Sequence, residues 1–165
     1  MKHWSPGNVV EIALDGAWAY GQVVDDPLMG FYPVRTSQIC DPADLASEEF
    51  CFRIWVMKYA IGKNGWPIVG SLELTDEKAS EPWFFKKDPI SGALTRYLGS
   101  TMEEIPISLE ESEGLECAAV WDPEHVESRL RDEAAGRPNI WVESMRPDWD
   151  KNAQQGEAPN RGSLS

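Results

Sequence analysis

The stretch VVEIALDGAWAYGQVV, Val9 to Val24, decides how the rest of the chain is read. Val10, Ile12 and Leu14 alternate with Val9, Glu11 and Ala13, the two-residue period of a strand with one strongly apolar face. Asp15-Gly16 supplies the positive φ angles of a two-residue hairpin turn. The returning segment, Ala17 to Val24, sets Trp18, Tyr20, Gln22 and Val24 on one face and Ala17, Ala19, Gly21 and Val23 on the other, so large and small side chains are segregated. That segregation has two readings. Trp18 and Tyr20 line an aromatic groove for a peptide or small molecule, with Gly21 giving access to the backbone. Alternatively they cover a sheet face, and Gly21 is the space that a closely packed, curved strand requires.

Outward from the hairpin, Asp25-Asp26-Pro27 reads as the next turn and GFYPV as a short strand whose Pro33 suits an edge or bulge. Asp41 to Glu49, DPADLASEE, forms either a helical turn or a linker. Phe50 to Ile61 is rich in aromatic and branched residues and reads as one long central strand; Lys63-Asn64-Gly65 turns it into a hairpin with WPIVGSLEL. PWFFKKDPISGALTRYL places two strands around Asp88 to Gly92. With about seven short strands in the first hundred residues, the expected fold is mainly β (α+β): a strongly bent antiparallel sheet or small open barrel.

One C-terminal α-helix should pack against that sheet. Asp122 is a good N-cap, Pro123 suits the first helical position, and Gly136 suits the end. Val126, Leu130 and Ala134 recur every four residues, while Glu127 with Arg131 and Arg129 with Glu133 are spaced to pair on the exposed flanks. Beyond Met145 the chain has almost nothing to bury, so a single globular domain is expected over residues 1–145 and a mobile tail over 146–165.

Of 165 residues, 42% are hydrophobic and eight are tryptophan, enough for a packed core. Twenty-eight acidic against fifteen basic residues give a net charge of -13, which repels phosphate backbones and anionic headgroups. Nucleic acid and membrane are therefore not expected partners, whereas a cationic protein is. Cys40, Cys51 and Cys117 have no CxxC spacing and suggest buried reduced thiols rather than a disulfide frame or zinc site. The first residues carry neither a signal-peptide core nor a membrane span, so a cytoplasmic location is expected.

No phosphate-binding, dinucleotide-binding, zinc-protease or nucleophile-elbow pattern occurs, and no cofactor is expected. His3 lies near the start; His125, in the first turn of the expected helix, has Glu124 and Glu127 nearby, but helical neighbours have that spacing without any chemistry. Cys117, within GLECAAVW, looks buried and lacks the electropositive setting of a reactive thiol. No catalytic residue is therefore assigned. The strongest asymmetry lies between Arg96 and Arg129, where Glu103, Glu104, Glu110, Glu111, Glu113, Glu116, Asp122, Glu124 and Glu127 occur without one Lys or Arg. Such a run is commonly a solvated face, yet it also suits a basic partner. EESEGLE lacks the alternating ligands of a calcium loop.

Read together, GNVVEIALDGAWAYGQVVDDPLMGFY, GKNGWPIVGSLEL, PWFFKKDPISG and GLECAAVWDPEHVESRLRD resemble the immunity protein 26 family of bacterial polymorphic toxin systems, from about Gly7 to Asn139. The resemblance implies a small, non-enzymatic cytoplasmic protein that binds and blocks a cognate toxin. It assigns no binding residues. Many toxins of such systems are nucleases, which are basic in order to hold nucleic acid. On physical grounds Glu103, Glu104, Glu110, Glu111 and Glu113 are the candidates for steering a toxin, with Trp83 or Trp149 as anchor.

Overall fold

The computed structural model of the chain describes residues 2–35 and 39–148. Trp149, a candidate anchor, and residues 150–165 of the expected tail lie outside the described residues.

Strands β1 (Asn8–Leu14), β2 (Ala17–Asp25), β3 (Leu28–Phe31), β4 (Phe52–Val56) and β5 (Ile68–Ser71) are followed by a short helix, α1 (Asp76–Ala79). Then come β6 (Phe84–Lys87), β7 (Leu94–Leu98), β8 (Glu103–Pro106), β9 (Glu116–Cys117) and β10 (Val120–Trp121). Helices α2 (Pro123–Ala135) and α3 (Ile140–Ser144) close the described chain. The strands divide between a six-stranded sheet, ordered β10-β4-β3-β2-β1-β5, and a four-stranded sheet, ordered β8-β7-β6-β9. The mainly β class and the C-terminal helix read from the sequence hold, with the sheets open rather than closed into a barrel. Pairing is antiparallel except at β10 with β4 and β6 with β9, so both sheets are mixed.

The opening hairpin forms as its periodicity demands. Gly16 takes a φ of 76° in the turn, and Val10, Ile12 and Leu14 on β1 face Gly21, Ala19 and Ala17 on β2. Large side chains thus stand opposite small ones, which leaves room for the next strand. A Cβ on Gly21 would lie 2.9 Å from Phe31 Cε1 and 3.1 Å from Met29 Cε, so this glycine makes space for close packing. Val10, Ile12, Phe31, Ile54, Val126 and Leu130 meet in the main core, which lays α2 against one face of the large sheet. Val9, Tyr20, Tyr32 and Leu45 make a second cluster, with Leu45 supplied by a 3-10 turn at Pro42–Ser47. Each fully buried aliphatic or aromatic side chain contributes roughly 1.5–3 kcal/mol, so the large sheet, covered on both faces, holds most of the stability.

Several expectations change, beginning with the strands. The strand expected over Phe50 to Ile61 is only Phe52–Val56, followed by a 3-10 turn at Lys58–Ala60. Its partner is not WPIVGSLEL: β5 pairs with β1, because β3 and β10 already occupy both sides of β4. The Asn-Gly turn instead folds back tightly, with Trp66 N–H donating to the Ala60 carbonyl at 2.7 Å, and buries the Trp66 ring.

Helix α2 begins and ends as read: the Asp122 side chain accepts from Glu124 N–H, and Gly136 is left-handed at φ 69°. Its buried stripe stops at Leu130, leaving Ala134 exposed. Arg131 does pair with Glu127, but Arg129 is buried and pairs with Glu116 rather than Glu133. All three cysteines are free, yet Cys51 is exposed and the other two are half-buried instead of lying in the core.

Candidate functional site

The small sheet carries most of the candidate surface. In β6, Phe84 and Phe85 are buried and hold the sheet down, while every residue of β7 stays half-exposed. Strand β8 is the outer strand and presents Glu103 and Glu104 to solvent. Glu110 and Glu111 sit in a 3-10 turn at Glu110–Ser112, and Glu113 ends it; all five glutamates are exposed. Ser108 donates its backbone N–H to Glu111 at 2.9 Å, and that bond with the Ser108 side chain holds the Glu111 carboxyl below its usual range.

Neighbouring strands bring basic groups into this face. Lys86 lies 3.6 Å from Glu104, and the Arg96 guanidinium stacks 4.6 Å from the half-buried Trp83 ring. Arg96 pairs in register with Ile105 on β8 and interacts electrostatically with Glu111. Arg96 therefore links Trp83 with the acidic segment, a connection that sequence spacing could not reveal.

The other acidic residues divide by role. Glu116 accepts both Arg129 guanidinium nitrogens, at 2.9 and 2.8 Å, and Asp122 caps α2 while accepting the Tyr59 hydroxyl. Glu127 accepts the Trp66 indole N–H at 3.0 Å, whereas Glu124 is exposed. Nine carboxylates from one stretch of sequence are thus split between internal contacts and display.

Trp18 and Tyr20 have a different setting from the acidic face. Tyr20 is fully buried; its hydroxyl donates to Glu11 at 2.8 Å and accepts from Cys40 N–H at 3.0 Å. Burial, with Glu11 alongside, raises its pKa well above the ordinary value. Trp18 is half-buried against the same cluster as Phe50. His125 stacks on Trp141, ring centroids 3.7 Å apart at 19°. The Cys117 thiol pKa is pushed up by burial and by Glu116. Among the described residues no group of three or more His, Cys, Asp or Glu side chains is arranged to hold a metal ion. Nor, among those residues, is any helix long and apolar enough to cross a membrane.

Two features were not visible in the sequence. A polar spine runs from half-buried Lys78, whose ammonium donates to the hydroxyl of buried Tyr32 at 3.1 Å, to buried Gln22, which accepts from Tyr32 at 2.5 Å. Gln22 in turn donates to the carbonyls of Gly7 and Leu72. Lys78 and Arg53 also line a cleft of about 410 Å³ beside Phe50. A second cleft, of about 300 Å³, opens where the two sheets meet, between the β2–β3 turn, Trp55 and the β7–β8 turn.

A family model described as immunity protein 26 matches residues 5–93, more than half of the chain. The match ends in the turn between β6 and β7, so GLECAAVWDPEHVESRLRD and the acidic segment lie beyond it. No curated protein and no solved structure matches the chain.

Proposed function

We infer the function from the premise that this chain belongs to the immunity protein 26 family, so that a toxin is its partner and neutralising it is its task. The mode of action we propose is stoichiometric binding of a cognate toxin domain with a basic surface, without catalysis. The observation that carries this reading is the exposure of Glu103, Glu104, Glu110, Glu111 and Glu113, while Glu116, Asp122 and Glu127 of the same segment are engaged within the fold. Carboxylates arranged on a surface occupy the places that phosphates take on a nuclease, and they steer a cationic partner into contact. Trp83, its ring braced by Arg96, supplies apolar area at low entropic cost.

The Trp18–Tyr20 face is less suited to a ligand, because Leu45 and Phe50 already pack there. The test is co-expression with the toxin encoded beside the gene, followed by stopped-flow association of the purified pair. Changing the five glutamates to glutamine should slow association about tenfold at low salt and flatten its salt dependence, with dissociation little altered. An unchanged association rate would remove these residues from the interface.

A further inference from the structure

We propose that the cleft between the two sheets receives an arginine side chain of the toxin. The proposal rests on the toxin-binding reading above and names a specificity pocket within that interaction.

Trp55 of β4 reaches out of the large sheet and touches the small one. Its ring lies 4.2 Å from that of Phe84 and 6.1 Å from that of Tyr97, at 88° to the latter, so two aromatic walls meet at a right angle. The β7–β8 turn lies directly on the indole, for a Cβ on Gly99 would come 3.0 Å from Trp55 Cζ2. Asp25, Asp26 and Glu81 supply carboxylates to the lining, which among the described residues includes no Lys or Arg. Glu81 is held in place by accepting the Ser100 N–H at 2.8 Å and the Ser100 hydroxyl. Asp26 pairs with Lys58 at 3.0 Å, but Lys58 is 73% exposed and free to swing aside for a better-placed cation. Tyr97 already attracts one cation, Lys86, whose ammonium stands 3.8 Å from its ring centroid and which is not part of the lining.

Aromatic walls with a carboxylate rim suit a cation that has a flat face. A guanidinium stacks on an indole and takes carboxylates bidentately, whereas an ammonium offers neither plane nor fork. A volume of about 300 Å³ is at the lower end for ligand pockets and suits one long side chain. The cleft also adjoins the steering surface, since Leu98 and Glu103 pair across the turn that holds Gly99 and Ser100. Charge complementarity names the source: a protein of net charge -13 that belongs to a toxin-neutralising family meets a basic toxin surface.

The first arm uses the free protein and needs no toxin. N-acetylarginine amide at millimolar concentration should shift the Trp55 indole resonance in a nitrogen–proton correlation spectrum, and the neutral isostere N-acetylcitrulline amide should not. Equal shifts from both, or none from either, would overturn the proposal. The second arm measures toxin affinity. Asp25→Arg sets a competing guanidinium at the rim of the cleft on an exposed residue and should weaken binding at least tenfold with unfolding unchanged; Trp55→Leu, if it folds, should do the same. Wild-type affinity in Asp25→Arg would overturn the cleft while leaving the immunity reading intact. Failure of the unmodified protein to protect against the toxin would overturn both.

Discussion

The two sheets are built for different conditions. The large one is covered on both faces: Val126 and Leu130 of α2 close one side, and Leu45 and Tyr32 close the other, so β3 is buried throughout its length. The small one buries Phe84 and Phe85 and leaves β7 half-exposed and β8 almost bare. The family match covers β1 to β6 and stops before β7. The difference teaches a division of labour: a well-buried sheet carries the stability, and a thin sheet docked beside it carries charge that a core could not tolerate.

The contrast can be broken most directly where the halves are tied. Arg129 of α2 pairs with Glu116 of the small sheet and lies 3.7 Å over the Phe52 ring of the large one. Arg129→Ala leaves the partly exposed Glu116 without its partner and opens a hole beneath that ring, so a loss of about 3 kcal/mol, the lower end for a broken buried pair, is expected in urea unfolding. A loss below about 1 kcal/mol would mean that the Trp55–Phe84 contact, and not this ion pair, holds the sheets together.

A matched pair of truncations sharpens the contrast further. Ile12→Ala, in the large-sheet core, should cost about 3 kcal/mol, whereas Ile105→Ala on half-exposed β8 should cost under about 1 kcal/mol. Equal losses would contradict the division.

The polar spine makes the large sheet sensitive to alkali. Burial pushes the Tyr32 hydroxyl from its ordinary value near 10 up to about 12. The folded state thus holds this proton more tightly than the unfolded state does. Its stabilisation is complete below pH 10 and is lost as the pH rises toward 12. Denaturant titrations across that window should show a decline on the order of 1 kcal/mol from this group, made shallower by Tyr32→Phe. An identical slope in the variant would show that Tyr32 does not carry the effect.

The smallest effect belongs to the display surface. Replacing Glu103, Glu104, Glu110, Glu111 and Glu113 by glutamine should move the melting temperature by no more than about 2 °C, because exposed charges contribute little to folding. A large drop would make them structural.

Much of this was legible from local signals. The β1–β2 hairpin, the strand pair around Asp88 to Gly92 and both ends of α2 follow from alternation, Asp-Gly or Pro-Gly turns, and caps, all of which act within a few residues. The candidate glutamates were legible as a charge run, and all five prove exposed. What could not be read were the partners. Asn64-Gly65 signals a turn wherever it occurs, but whether β5 then joins β4 or β1 depends on which neighbours β4 already has. Spacing on a helix offered Glu133 to Arg129 as readily as it offered Glu127 to Arg131; burial of Arg129 against Phe52 decided the matter.

By itself the sequence determined the strand-rich class, the place of helix α2, the unequal faces of the opening hairpin and the acidic character of the segment after Arg96. Tertiary structure alone decided that the strands form two sheets, that Glu116, Asp122 and Glu127 are bound within the fold while five other glutamates are displayed, and that Trp55 and Tyr97 stand at a right angle in a cleft between the sheets. The reason is one of range. Propensity, alternation and capping are energies of neighbouring residues, whereas pairing, burial and the fate of each charge depend on residues tens of positions apart that meet only after the chain has folded.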